Sequence, residues 1–194
     1  MTPTAPALEE WSALKEWSAA VHALLDGRQT VLLRKGGIGE KRFEVAPDVA
    51  ASRFLLFPTV AHSHTERVRP EHRHLLDPAL SDSTEAEVVV RAGARVVDAI
   101  QVARTEGLED IAAHHIWTAE SVREDRLDFR PRHRLTVLVI AAVPLREPVR
   151  VVRTPAYRGC TSWVTLPVAP QWGDPVHDEH HLHDIAEQVR RSVA

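Results

Sequence analysis

Leu135-Thr136-Val137-Leu138-Val139-Ile140-Ala141-Ala142-Val143 decides the fold. The run is rich in β-branched residues, follows Pro131 and stops at Pro144, so it reads as a strand placed centrally in a sheet. Working outward, Val149-Arg150-Val151-Val152 and Trp163-Val164-Thr165-Leu166 read as further strands. Upstream, Glu87-Val88-Val89-Val90-Arg91 and Ala94 to Ile100 read as two strands around a turn at Gly93. Thr30-Val31-Leu32-Leu33 and Phe54-Leu55-Leu56-Phe57 are short, apolar and bounded by glycine or proline, which predicts buried strands that neighbour each other.

Helical signals lie between and around these strands. Leu8, Trp11, Leu14, Trp17, Val21 and Leu24 recur every three or four residues, which predicts one amphipathic helix over residues 8–26 with Gly27 as its C-terminal cap. Thr105 and Thr118 are placed to cap helices running to Ala113 and Arg126. Residues 178–193 read as a final helix with acids near its start and Arg190-Arg191 near its end. Pro58 to Ser83 has no sustained period and reads as a long loop. Short strands joined by turns, without a βαβ rhythm, predict a single α+β domain. Its sheet is curved, mostly antiparallel or mixed, either open or barrel-like, with flanking helices.

The chain has 194 residues, 44% of them apolar, which suffices for a core and sets one domain as the expectation. No apolar run approaches the roughly 20 residues of a membrane span, and Met1 to Pro6 lacks the basic and apolar regions of a signal peptide. A cytoplasmic location is expected. The lone Cys160 excludes an internal disulfide and a multi-cysteine zinc site. A net charge of -3 argues against a generally basic nucleic-acid binder, yet the charges fall in blocks. Residues 28–74 hold nine Lys/Arg against five Asp/Glu, residues 77–128 five against twelve, and residues 130–158 seven against one. If the two basic blocks meet, they form a positive face; the alternative is mutual neutralisation with the acidic block.

Candidate chemistry clusters in a few places. Arg34-Lys35-Gly36-Gly37-Ile38-Gly39-Glu40 puts two cations after a strand and then three glycines, whose backbone can approach an anion closely. This is a phosphate-site reading, with Arg34, Lys35, Gly36, Gly37, Arg42 and Arg158 as contacts. It is neither a P-loop nor a dinucleotide fingerprint, since the lysine precedes the glycines and G-x-G-x-x-G is missing. A glycine-rich hairpin with solvated charges is the competing account. His62 and His64, like His72 and His74, stand at alternate positions; His64, His72 and His74 read as exposed loop residues. His115 beside His114 reads as a core imidazole bonded to backbone. In the tail, His177 with His181 and His180 with Asp184 have i,i+4 spacing, but neither pair closes a metal site alone, and no metal or cofactor is assigned. Tyr157, Cys160 and Ser162 surround Gly159; Cys160 is either a nucleophile with a lowered pKa or a packing residue.

Leu32 to Ile38 with Glu40 and Phe43, Phe54 to Thr59 with His62, His115-Ile116-Trp117, and Tyr157 with Gly159-Cys160 and Ser162-Trp163 together resemble an uncharacterised bacterial family. It is the domain-of-unknown-function family numbered 1802. The resemblance covers residues 15–167, leaving residues 1–14 as an extension and 168–194 as a His-rich helical segment. Relatives often carry a longer Gly-containing turn where this chain has Lys41-Arg42. The resemblance implies an occasional association with restriction-endonuclease-like domains, and hence nucleic-acid processing or restriction-modification. Three readings stand open. The first is a nucleic-acid-associated domain using the Gly-rich basic segment. The second is an enzyme on a phosphorylated or nucleotide substrate using Lys35, Glu40, His62, His115, Tyr157 and Cys160. The third is a non-catalytic domain that binds a protein partner in a defence or repair system.

Overall fold

The computed structural model describes residues 8–35, 52–60 and 64–194. In chain order these form β1 (Glu9–Trp17), α1 (Ser18–Leu25), β2 (Val31–Lys35), β3 (Phe54–Thr59), α2 (His64–Arg67), α3 (Leu76–Ser81) and β4 (Glu87–Gln101). Then follow α4 (Ala119–Val122), β5 (Leu135–Val152), β6 (Trp163–Val168) and α5 (Glu179–Val193). The strands make one mixed sheet in the order β2-β5-β4-β3-β1-β6, with β1–β3 as its parallel pair. The α+β architecture is as expected, but the sheet does not close: β2 and β6 remain its two edges. Nor are β2 and β3 neighbours, since β5 and β4 lie between them.

The helix expected over residues 8–26 is a strand followed by a helix. β1 has a partner on each side, β3 in parallel and β6 antiparallel, so its backbone groups are satisfied by ladders. Both of its faces are covered as well. Ala13 joins the cluster of Leu55, Phe57 and Leu166, while Leu14 joins that of Phe54, Leu56 and Ile140. Apolar residues needed on two strand faces happen to fall at helical spacing, and long-range pairing overrides the local period. The helical part is α1, buried on several sides: Ala19, Ala20 and Ala23 enter one cluster, Val21 and Leu24 another. Gly27 follows it at φ 73°, the left-handed conformation expected of a cap.

β4 and β5 are long because neither Gly93 nor Pro144 interrupts them. Gly93 is a close-approach residue. A Cβ there would lie 2.4 Å from the Trp172 ring and 2.5 Å from the Phe54 carbonyl oxygen. Pro144 pairs with Ala92 beside a register shift between Val90 and Ala92, where the ladder is already irregular and a missing N–H is tolerated. The expected Pro58–Ser83 loop contains α2, a 3-10 turn over Pro70–Leu75, and α3, which bury Leu75, Leu76 and Ala79. Residues 105–113 form 3-10 turns rather than a helix. Thr118 caps α4 as predicted, accepting from the Ser121 amide at 3.1 Å. α5 lays Leu182, Ile185, Ala186, Val189 and Val193 on the sheet, in the cluster that holds Val137 and Val139 of β5. Among the described residues no helix is long and apolar enough to cross a membrane.

Candidate functional site

Three strand ends converge on an open cleft of about 810 Å³. β1 supplies Lys15, which pairs with Phe57 of β3. The turn before β4 supplies Ser83, Thr84 and Glu85, and the exit of β5 supplies Arg153, Tyr157, Arg158 and Gly159. Lys15 Nζ donates to the Gly159 carbonyl at 3.0 Å. Gly159 has φ 87°, so the turn uses the left-handed region that a glycine enters without strain. Arg153 donates from Nε to the Thr84 carbonyl at 2.5 Å and from Nη2 to Ser83 Oγ at 2.6 Å. Its guanidinium carbon stands 5.8 Å from the centre of the Phe57 ring, which also packs on Tyr157 at 5.6 Å.

Electrostatically the cleft is cationic. Lys15, Arg153 and Arg158 face one carboxylate, Glu85, among the described lining residues. Burial holds the Lys15 amine below its ordinary pKa; the Cys160 sulfur pulls it up and Arg153 pushes it down. Cys160 is exposed and unpaired with any other cysteine. Hydroxyls of Thr59, Ser83, Thr84, Thr154 and Tyr157 add hydrogen-bonding groups around the rim.

The cations of the Gly-rich segment are engaged elsewhere. Arg34 Nη1 donates to Glu16 Oε2 at 3.0 Å and to the Lys15 carbonyl at 3.2 Å, and Glu16 is only 3% exposed. Lys35 Nζ donates to the Leu127 carbonyl at 2.6 Å. Burial lowers the Lys35 pKa, with Asp128 acting the other way. Nearby, Arg67 forks onto Asp125 at 2.6 and 3.3 Å and lies 5.5 Å from the Trp17 ring. Gly36, Gly37, Glu40, Arg42 and His62 lie outside the described residues.

His115 belongs to a different cavity, of about 410 Å³, lined also by Arg69, Leu108, Trp117, Val122 and Leu127. It is 2% exposed, and its Nδ1 accepts from the Trp117 amide at 3.2 Å. Burial pushes its pKa down to about 3, with the Arg69 charge acting the same way. Arg69 ties the surrounding backbone, donating from Nη1 to the Ala112 carbonyl at 2.7 Å and from Nη2 to the His115 carbonyl at 2.5 Å. The same Nη2 stands 3.2 Å from His72 Nε2. His72 is buried, not exposed as expected, because the 3-10 turn tucks it against Arg69.

Of the sequence candidates, the structure brings Tyr157 and Arg158 together in the first cleft and sets His115 in the second. Lys15, Arg153 and the hydroxyls of residues 83 and 84 were missed. Lys15 sat inside an expected helix, and the signal available for Arg153 was its membership of the basic block 130–158. In the tail, the His177 and His181 rings lie 4.9 Å apart, and His180 Nε2 is 3.7 Å from Asp184, both exposed.

A family model described as "Domain of unknown function (DUF1802)" matches residues 13–188. No curated protein matches the chain. Among solved structures it is similar to a crystal structure of a mutant ZmASCH protein from Zymomonas mobilis. The identity is 12%, the TM-score is 0.39, and the match covers 71% of this chain and 72% of that chain.

Proposed function

The chain belongs to the DUF1802 family, a premise that brings no activity with it, and we propose from the geometry that it is a nucleic-acid-associated domain whose first cleft holds phosphate groups. The supporting observation is the convergence of Lys15, Arg153 and Arg158 on one open cleft with one opposing carboxylate among the described lining residues. The clustering overcomes the acidic total: a net charge of -3 spread over the chain matters less to a phosphate than three cations within the same cleft. Phe57 and Tyr157 pack against each other beneath those cations, both buried, and so form the floor that holds the cleft in shape. Nucleic-acid processing, including restriction-modification, is the setting for such a domain.

Fluorescence anisotropy with labelled single-stranded DNA and RNA of about ten nucleotides tests the reading. Three phosphate contacts give a slope of log K against log salt of about -2. No binding at low salt overturns the proposal. A second reading draws on Lys15, whose lowered pKa and nearby Cys160 suit a proton-transferring amine. Cleavage of the oligonucleotide during the titration, abolished in Lys15→Met, favours that enzyme; intact oligonucleotide throughout favours binding alone.

A further inference from the structure

Arg34 reads from sequence as a phosphate contact, yet it is not among the residues that line the first cleft. Its guanidinium instead holds the strand that carries Lys15. Nη1 donates to the Lys15 carbonyl at 3.2 Å and to Glu16 Oε2 at 3.0 Å. The Glu16 side chain is 3% exposed, and its other carboxylate oxygen accepts from the Trp17 amide at 2.8 Å. The Glu16 carbonyl accepts from Thr59 Oγ1 at 3.1 Å, and Thr59 lines the cleft beside Lys15. The tie crosses the open side of the sheet. β5, β4 and β3 separate β2 from β1, and four ladder spacings of about 4.8 Å put the two strands roughly 19 Å apart in a flat sheet. Arg34 reaches β1 because the sheet curls, and it does so where the pairing with β6 has ended at Leu14 and Trp163. There the Lys15 amide still donates to the Ser162 carbonyl at 2.8 Å, while the Lys15 carbonyl turns to Arg34.

We propose that Arg34, through its buried pair with Glu16, is a positioning residue for the first cleft: it fixes the end of β1 so that the Lys15 amine stands at the Gly159 turn, where phosphate binds. The proposal rests on the nucleic-acid reading of that cleft. A lysine stem is rich in rotamers, so a fixed backbone at Lys15 and the 3.0 Å bond from Nζ to the Gly159 carbonyl reduce the ordering that a phosphate contact costs.

Removing Arg34 alone strands a buried carboxylate, so the test removes both partners, as Arg34→Met with Glu16→Met, a replacement that buried ion pairs often tolerate. The pair carries no net charge, so a shift at Lys15 reports its placement. Lys15 is one of three lysines, with Lys35 and Lys41, and its amine is assigned by the signal lost in Lys15→Met. Magnetic resonance titration of the lysine side chains is expected to find that amine below its ordinary 10.5 in wild type, where Arg153 and Cys160 are the charged and titratable groups acting on it, and closer to 10.5 in the pair variant. Salt titrations with single-stranded DNA of about ten nucleotides give the second readout. Lys15→Met and the pair variant are each expected to lower the slope by about 0.7, and the two combined by no more than either alone. If the pair variant does not fold, Arg34→Lys keeps the charge beside Glu16, gives up the planar fork, and is expected to move the Lys15 titration the same way. The proposal is overturned if the folded variant keeps the wild-type Lys15 titration. It is likewise overturned if its slope loss adds to that of Lys15→Met, which makes Arg34 a direct phosphate contact. A wild type that binds no oligonucleotide removes the nucleic-acid reading alone, and the Lys15 titration still decides the positioning.

Discussion

His115 shows how a single side chain acquires its properties from burial. Its sequence context, between His114 and Ile116, suits either a core residue or a proton carrier; a 2% exposure and the Trp117 amide make it a neutral donor. With its pKa pushed down to about 3 from an ordinary 6.5, the unfolded chain binds more protons than the native one between those values. The contribution is therefore complete above pH 6.5 and is lost as pH falls toward 3. Against His115→Gln, wild type is expected to lose on the order of 4 kcal/mol across that range in urea unfolding; parallel curves refute the assignment. Asp82 is also held below its ordinary value. Burial raises its pKa, but hydrogen bonds from His22 at 2.6 Å and Arg91 at 2.8 and 2.9 Å outweigh burial and hold it below the usual carboxylate range. Its contribution is present above the ordinary Asp pKa and disappears as pH falls through the lowered one.

Among the elements, β4 and α5 carry the clearest local tests. Gly93 looks like a turn residue in sequence, since glycine between two β-branched runs usually marks one, but here the Trp172 ring fills the space a side chain would need. Gly93→Ala pushes a methyl into that ring and the Phe54 carbonyl, and is expected to destabilise by roughly 1–3 kcal/mol. A stability unchanged within error would mean Trp172 moves aside freely. α5 was readable from its charge distribution, with Asp178 now seen as its cap and not its first residue. Asp178 accepts from the His181 amide at 2.8 Å, so Asp178→Ala is expected to lower stability by about 1 kcal/mol in the same assay. β1 was not readable. Trp11, Leu14 and Trp17 have helical spacing, and only the partners β3 and β6 convert them to a strand.

At the scale of the molecule, charge position matters more than charge total. The basic block 130–158 divides: Arg153 and Arg158 line the first cleft, whereas Arg132 is exposed and outside it. Arg158→Ala is expected to reduce the salt slope of oligonucleotide binding by about 0.7, and Arg132→Ala to leave it unchanged. Equal effects would indicate binding to a diffuse surface field instead of the cleft. The amino-acid sequence by itself determined the β-branched strands around Val137 and Val90, the cap at Thr118, and the α+β class, because each depends on neighbours within a few residues. Tertiary structure alone decided that residues 9–17 are a strand, that the sheet stays open, and that Lys15 meets Gly159 while Arg153 meets Thr84. The last two contacts join residues 144 and 69 positions apart, and all of these outcomes are set by strand pairing and burial that no local period encodes.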